Sequence, residues 1–284
     1  MSLAAVKISP EALKDMMDLF SVQPWLMNLH EEMVALWNLC ETREEQNLVK
    51  SLVSKICILD AAKELLACRG INQKIQNWNL VPNNTWIVAA ANNNEIDGST
   101  AGLQRLKNKI EPADDWHARF VGNIPSAVDK IKDGQNVVIF DDFIGSGDKL
   151  IKKRKWLASL LEKRAIVNIN YYYIAFSAMK FGFENIENIE EKRIYAHFLL
   201  NKGISETYPK DEAEKMIDVM INLESRLGLN YKNKKIEQFS LGYGKSEALY
   251  CAENDNCPNN VFPILWWPNL KNGKTLKTLL KRVG

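Results

Sequence analysis

The sequence predicts an α/β protein, with a parallel-sheet core and an N-terminal helical lobe. Three observations carry that expectation. The first 80 residues space their apolar side chains at helical period. From residue 85 onward, short runs that are apolar throughout alternate with helical segments, and polar turns containing glycine follow two of the runs. Strands without polar alternation are those covered on both faces, as in a parallel sheet.

The 284 residues suffice for one large domain or a domain with an appendage. The expected division is a helical lobe over residues 1–80 and an α/β domain, with a C-terminal tail element, over residues 81–284. Ser9 and Pro10 open the first helix as a cap and a first-turn proline, ahead of Leu13, Met16, Met17 and Phe20. A second helix starts near Pro24 and lines up Trp25, Leu29, Met33, Leu36, Trp37 and Cys40. A third is expected from about Glu44 to Cys68, with Gly70 as its stop.

Residues 86–91 read as a buried strand and 92–100 as its polar loop, followed by a helix over 101–106 capped by Ser99 or Thr100. Residues 136–140 form the second strand, with a helix from Asp148 to Lys163 after it. Residues 166–176 and 192–199 are the third and fourth strands, with a short helix near 177–183 between them. A strong helix over 209–227 precedes Gly228, and the tail resumes at 248–250 and 261–267.

Composition limits function. Lys plus Arg number 37 against 35 Asp plus Glu, so the chain is not a general polyanion binder. Lys152, Lys153, Arg154 and Lys155 form one basic cluster, read first as a solvated helix face. The five cysteines, at 40, 57, 68, 251 and 257, show no CxxC spacing, and three scattered histidines add no metal-ligand pattern. The N-terminus lacks a signal-peptide core and no segment has the length of a membrane span, so the expectation is a cytoplasmic protein without membrane contact.

The chemistry concentrates in NVVIFDDFIGSGDKLIKK, residues 136–153. An apolar strand reaches Asp141 and Asp142, and a glycine-containing loop then leads into a helix. In a parallel sheet, ligands sit beyond the carboxyl ends of the strands. A helix N-terminus offers free N–H groups to an anion, and glycines let a phosphate approach them closely. One ligand with hydroxyls for the carboxylates and phosphate for the loop fits both halves, and a sugar phosphate has both. A P-loop fails on spacing and lacks the hydroxyl after its lysine. A dinucleotide fingerprint needs a third glycine. A Mg²⁺-binding acidic pair leaves the glycine loop without a role, and a strand ending in two solvated acids is the plain alternative.

VVIFDDFIGSGDK resembles the ribose-phosphate signature of the type I phosphoribosyltransferases. The resemblance implies that Asp141 and Asp142 hold the ribose hydroxyls of phosphoribosyl pyrophosphate (PRPP). Ile144, Gly145, Ser146, Gly147, Asp148 and Lys149 would then wrap its 5-phosphate. The family usually ends this motif in threonine; Lys149 removes a hydroxyl and adds a cation. The loop 92–100, with Asn94, Asp97, Gly98, Ser99 and Thr100, occupies the place of the family's pyrophosphate loop. Between residues 112 and 134, His117 and Arg119 are the basic residues that match the mobile loop over the leaving group, Arg119 being the candidate. Mg²⁺ is implied only with a pyrophosphate-containing ligand, and no side-chain metal ligand is expected.

The tail CPNNVFPILW, with Asn259, Asn260 and Trp266, is similar to that of a divergent branch of the family, the phosphoribosyltransferase-like (PRTase-CE) domains of bacterial conflict and anti-phage loci, some linked to retrons. That resemblance covers roughly residues 80–270. It implies a phosphoribosyltransferase-like effector of defence that binds PRPP or a nucleotide. The alternatives are a non-catalytic sensor, favoured by Lys149 and the sparse mobile loop, and a subunit that contacts retron nucleic acid through Lys152–Lys155. Other defence-system proteins and a homo-oligomer remain open as partners.

Overall fold

The computed structural model describes residues 9–93, 97–189, 193–253 and 255–283. The chain divides into two compact units. One comprises Met1–Ile58, Lys202–Cys251 and Asn256–Gly284; the other comprises Leu59–Asn201 and Ala252–Asp255. A boundary at residue 80 therefore does not describe the packing, because the C-terminal segments return to the N-terminal helices.

Helix α1 (Pro10–Val22) begins as its sequence dictates: the Ser9 hydroxyl accepts from the Ala12 N–H, and Pro10 is the first helical residue. A 3₁₀ turn, Pro24–Leu29, leads into α2 (His30–Leu39). Helix α3 (Arg43–Ser54) opens with a capping box between Thr42 and Glu45.

The helix expected over 44–68 is two helices. α3 ends at Ser54, and α4 (Ala61–Asn77) starts anew with Asp60 as its cap. The short strand Cys57–Leu59 lies between them, where Ile56 and Ile58 bring β-branched side chains that favour extended backbone. Gly70 does not stop α4 but lies inside it. A β-carbon there would come within 2.3 Å of the Tyr195 hydroxyl oxygen.

The second unit holds the sheet. In chain order it contains β1 (Thr85–Ala89), α5 (Gly98–Leu106), β2 (Phe120–Val121), α6 (Ile124–Val128), β3 (Asn136–Ile144), α7 (Asp148–Glu162), β4 (Asn170–Met179), α8 (Lys180–Ile189) and β5 (Ile194–Leu200). The five strands run parallel in the order β2-β1-β3-β4-β5.

Alternation along each strand divides the core. Val137, Ile139, Tyr173 and Ala175 pack with Ile124, Leu157 and Ile186. Phe140 and Phe176 point the other way, ring centroids 5.1 Å apart, and press on Gly102 of α5. The chain turns from β1 to β2 on one side and then crosses to β3 on the other. The crevice beyond the carboxyl ends of β1 and β3 is thus the topological switch point, the place where such sheets take ligands.

The chain then returns to the first unit with α9 (Lys210–Glu224), which packs on α3 and on the 3₁₀ turn Pro263–Leu265. The buried Glu45 carboxylate accepts from the Arg226 guanidinium at 2.5 and 2.9 Å, so one side chain both caps α3 and ties it to the residues after α9. Among the described residues, no helix is long and apolar enough to cross a membrane.

Candidate functional site

β3 does not end at Phe140 but runs through both aspartates to Ile144, pairing with β4 at Asp141↔Ala175 and Phe143↔Ser177. The two acids are therefore held on hydrogen-bonded strand backbone instead of a loose turn. Asp141 is buried, 2% exposed, and its Oδ1 accepts from the Lys149 ammonium at 2.9 Å. Asp142 lies against the start of α5, where its carboxyl faces Gly98.

Lys149 is where the two halves of the crevice meet. Its ammonium also donates to Asp97 Oδ2 at 3.0 Å, so it bridges the acid on β3 and the acid in the loop after β1. Asp97, and not Ser99 or Thr100, caps α5. Its Oδ1 accepts from the Thr100 N–H at 3.1 Å and from the Ser99 hydroxyl at 2.5 Å, which leaves Oδ2 to the lysine.

The charges follow from this packing. Burial pushes Asp142 far above the usual carboxylate range, and the neighbouring Asp141 charge adds to the rise. Burial raises Asp141 as well, but Lys149 restrains it. The Asp142 N–H donates to Asp141 Oδ1 at 3.2 Å, so the backbone as well as Lys149 favours the ionised form of Asp141. Burial works against ionised Asp97, yet Lys149, Ser99 and the Thr100 N–H outweigh it and hold Asp97 below its ordinary value. Partial desolvation opposes the Lys149 charge, and the attraction of Asp141 and Asp97 overcomes it, so Lys149 titrates above the lysine range. The cluster thus sets three carboxyl groups about one ammonium, with Asp142 the most reluctant of the three to ionise.

The loop after β3 is fixed by close backbone contact. Gly147, at φ +87°, takes the left-handed conformation as it enters α7. Gly182 of α8 lies so near that a β-carbon on it would come 1.9 Å from the Gly145 carbonyl oxygen. Asn185 donates to the Ser146 carbonyl at 3.2 Å. Gly147 contributes no side-chain cap to the first turn of α7, where the Asp148 N–H donates to Ser146 Oγ at 3.4 Å. Asp148 already adds a carboxylate to that turn, accepting from the Ser146 hydroxyl at 3.0 Å.

The structure thus brings together Asp97, Gly98, Asp141, Asp142 and Lys149, with the loop Ile144–Asp148 beside them. Asn94 lies outside the described residues. Arg119 stacks over the Trp86 ring, 4.9 Å from its centroid. Trp86 pairs with Val137, which sits roughly 13 Å back along β3 from Asp141 at about 3.3 Å per residue. In the basic cluster, Lys153 donates to Asn92 and covers Trp156, and Arg154 lies over Tyr171; Lys152 and Lys155 are exposed.

The C-terminal motif braces the first unit. Asn260 donates to Ser246 Oγ at 2.8 Å and to the Tyr243 carbonyl at 3.2 Å. The Asn259 carbonyl accepts from the Tyr243 N–H, and the buried Trp266 indole donates to the Val261 carbonyl at 2.9 Å. Sequence reasoning missed Gly182, whose only signal was a glycine inside an otherwise helical run. It named Asp97 and Lys149 without seeing that they pair.

A magnesium ion bound by these side chains does not fit their arrangement. A cation between Asp97 and Asp141 would need the place that the Lys149 ammonium takes.

A 2-1-3-4-5 parallel sheet with an acidic pair near the carboxyl end of its third strand and a glycine loop entering the next helix is the framework of a phosphoribosyltransferase-like protein. The PRTase-CE family model matches residues 22–282, and the chain belongs to that family. The match takes in α2 and α3, so the family extends over the helices that the sequence resemblance had left outside it. None of the curated proteins compared with the chain matches it.

Proposed function

We propose that the protein binds a ribose 5-phosphate-bearing ligand, PRPP or a nucleotide, in the crevice beyond β1 and β3. The observation that supports this best is the adjacent pair Asp141–Asp142 set on strand backbone beside the N-terminus of α7, which its Gly147 cap leaves without a side-chain acceptor of its own. The two carboxyls offer acceptors to sugar hydroxyls, and the N-terminus of α7 suits the 5-phosphate. The Asp97 loop at the N-terminus of α5 adjoins them as the place for a diphosphate.

Binding is favoured over transfer by one specific contact: Asp141, the acid expected to grip the ribose, is already paired with Lys149. The role we propose is therefore a ligand-responsive component of bacterial anti-phage defence, a context supported by the resemblance of the motif and the tail.

Isothermal titration with PRPP in the presence of Mg²⁺ tests the ligand. Heat of binding is expected for the native protein and none for the Asp141→Asn, Asp142→Asn double variant. A native protein that gives no heat with PRPP, ribose 5-phosphate or nucleotides would sink the reading. Phage plaque counts on cells that express each protein test the context; equal counts with and without the native protein would count against a defence role.

A further inference from the structure

We propose that the Lys149 ammonium performs the charge neutralisation expected of Mg²⁺, so that the protein binds its ligand without a divalent cation. This rests on the ribose-phosphate reading above.

Position is the first ground. Lys149 Nζ lies 2.9 Å from the carboxylate assigned to the ribose and 3.0 Å from the carboxylate of the loop assigned to the diphosphate. It stands between the hydroxyl end and the diphosphate end of the ligand, where a bridging cation would act.

Capacity is the second. An ammonium has three N–H donors. Asp141 and Asp97 take two, and the side chain is 43% exposed, so the third can reach an incoming phosphate oxygen. Charge balance is the third. Asp141 and Asp97 already share one ammonium, and a divalent ion brought beside Lys149 would meet a like charge at close range.

Lys149 is also pre-positioned. It is the second residue of α7, and Gly147, held against Gly182, fixes where that helix begins. Its reach to both acids is set by the fold and does not wait for the ligand.

The experiment is titration of the full chain with ribose 5-phosphate and with PRPP, once in EDTA and once in millimolar Mg²⁺. The native protein is expected to bind in EDTA with a Kd within about threefold of that in Mg²⁺. Lys149→Thr is expected to lose roughly tenfold or more of its affinity in EDTA and to recover part of it with Mg²⁺. Lys149→Arg, which keeps a cation, is expected to stay independent of metal, and melting curves confirm that each variant folds.

Binding by the native protein only when Mg²⁺ is present overturns the proposal while leaving the ribose-phosphate reading intact. Equal affinity of Lys149→Thr and native protein in EDTA overturns it too. Absence of binding in both buffers overturns the ligand reading itself.

Discussion

Gly98 and Asp142 are fitted to each other: a β-carbon on Gly98 would come 2.3 Å from Asp142 Oδ2 and 2.6 Å from Oδ1. The clash falls on the end of a side chain, so the carboxyl moves and the strand stays. Gly98→Ala is expected to weaken ligand binding about tenfold by turning Asp142 aside, with little change in melting temperature. Titration calorimetry and a thermal melt check the two halves of that expectation. A variant that binds as tightly as the native protein would show that the Asp142 position is not used.

Gly182 makes the opposite kind of contact. Its missing β-carbon would meet the Gly145 carbonyl oxygen at 1.9 Å, and that neighbour is backbone. Gly182→Ala must move either α8 or the loop after β3. A loss of roughly 1–3 kcal/mol is expected from such overpacking, read as a lower urea midpoint, together with weaker binding of ribose 5-phosphate.

Asp148 adds a negative charge to the first turn of α7, where the ligand phosphate is expected. Asp148→Asn removes that charge and keeps a side chain able to bond Ser146. Affinity for ribose 5-phosphate is expected to rise about two- to fivefold, corresponding to roughly 0.3–1 kcal/mol at a helix end. The gain should shrink as salt is added.

Glu224 gives the first unit a pH dependence. Burial raises its pKa to about 7, even though the Ser240 hydroxyl and the Leu241 N–H both bond the carboxyl. Its unfolded value is 4.5, so the carboxyl is neutral in both states at lower pH, and its full contribution to stability is present there. Above that value the unfolded chain ionises first, and stability falls until the folded pKa is passed. The loss reaches about 3 kcal/mol at about 1.4 kcal/mol per unit. Melting temperatures between pH 5 and pH 8 are expected to fall more steeply for the native protein than for Glu224→Gln.

Much of the site could be read from the sequence because its chemistry is local. Asp141, Asp142 and Lys149 lie within nine residues of one another, on a strand and helix whose patterns are plain. What escaped depended on contacts distant in sequence. Lys149 reaches Asp97 across 52 positions, and Gly182 earns its place only by touching a loop some 37 residues earlier. Gly70 looked like a helix stop because a mid-helix glycine is costly, and only the side chains of Tyr195 and His197 explain why it is there. The two-unit division was hidden for the same reason, since nothing in residues 202–284 announces that they pack with the first 58.

The segmented make-up of the first unit bears on the order of assembly during synthesis. Met1–Ile58 leaves the ribosome before Leu59–Asn201, but its packing partners, Lys202–Cys251 and Asn256–Gly284, are translated after that stretch. The buried faces of α1, α2 and α3 must therefore stay without their final cover while the intervening residues are made. The sheet unit is almost continuous in sequence and can close earlier. The nascent chain would thus carry a finished sheet while helices α1 to α3 still await a later part of the same polypeptide. That interval is when a chaperone, or a partner protein present during translation, would have its best opportunity to hold them.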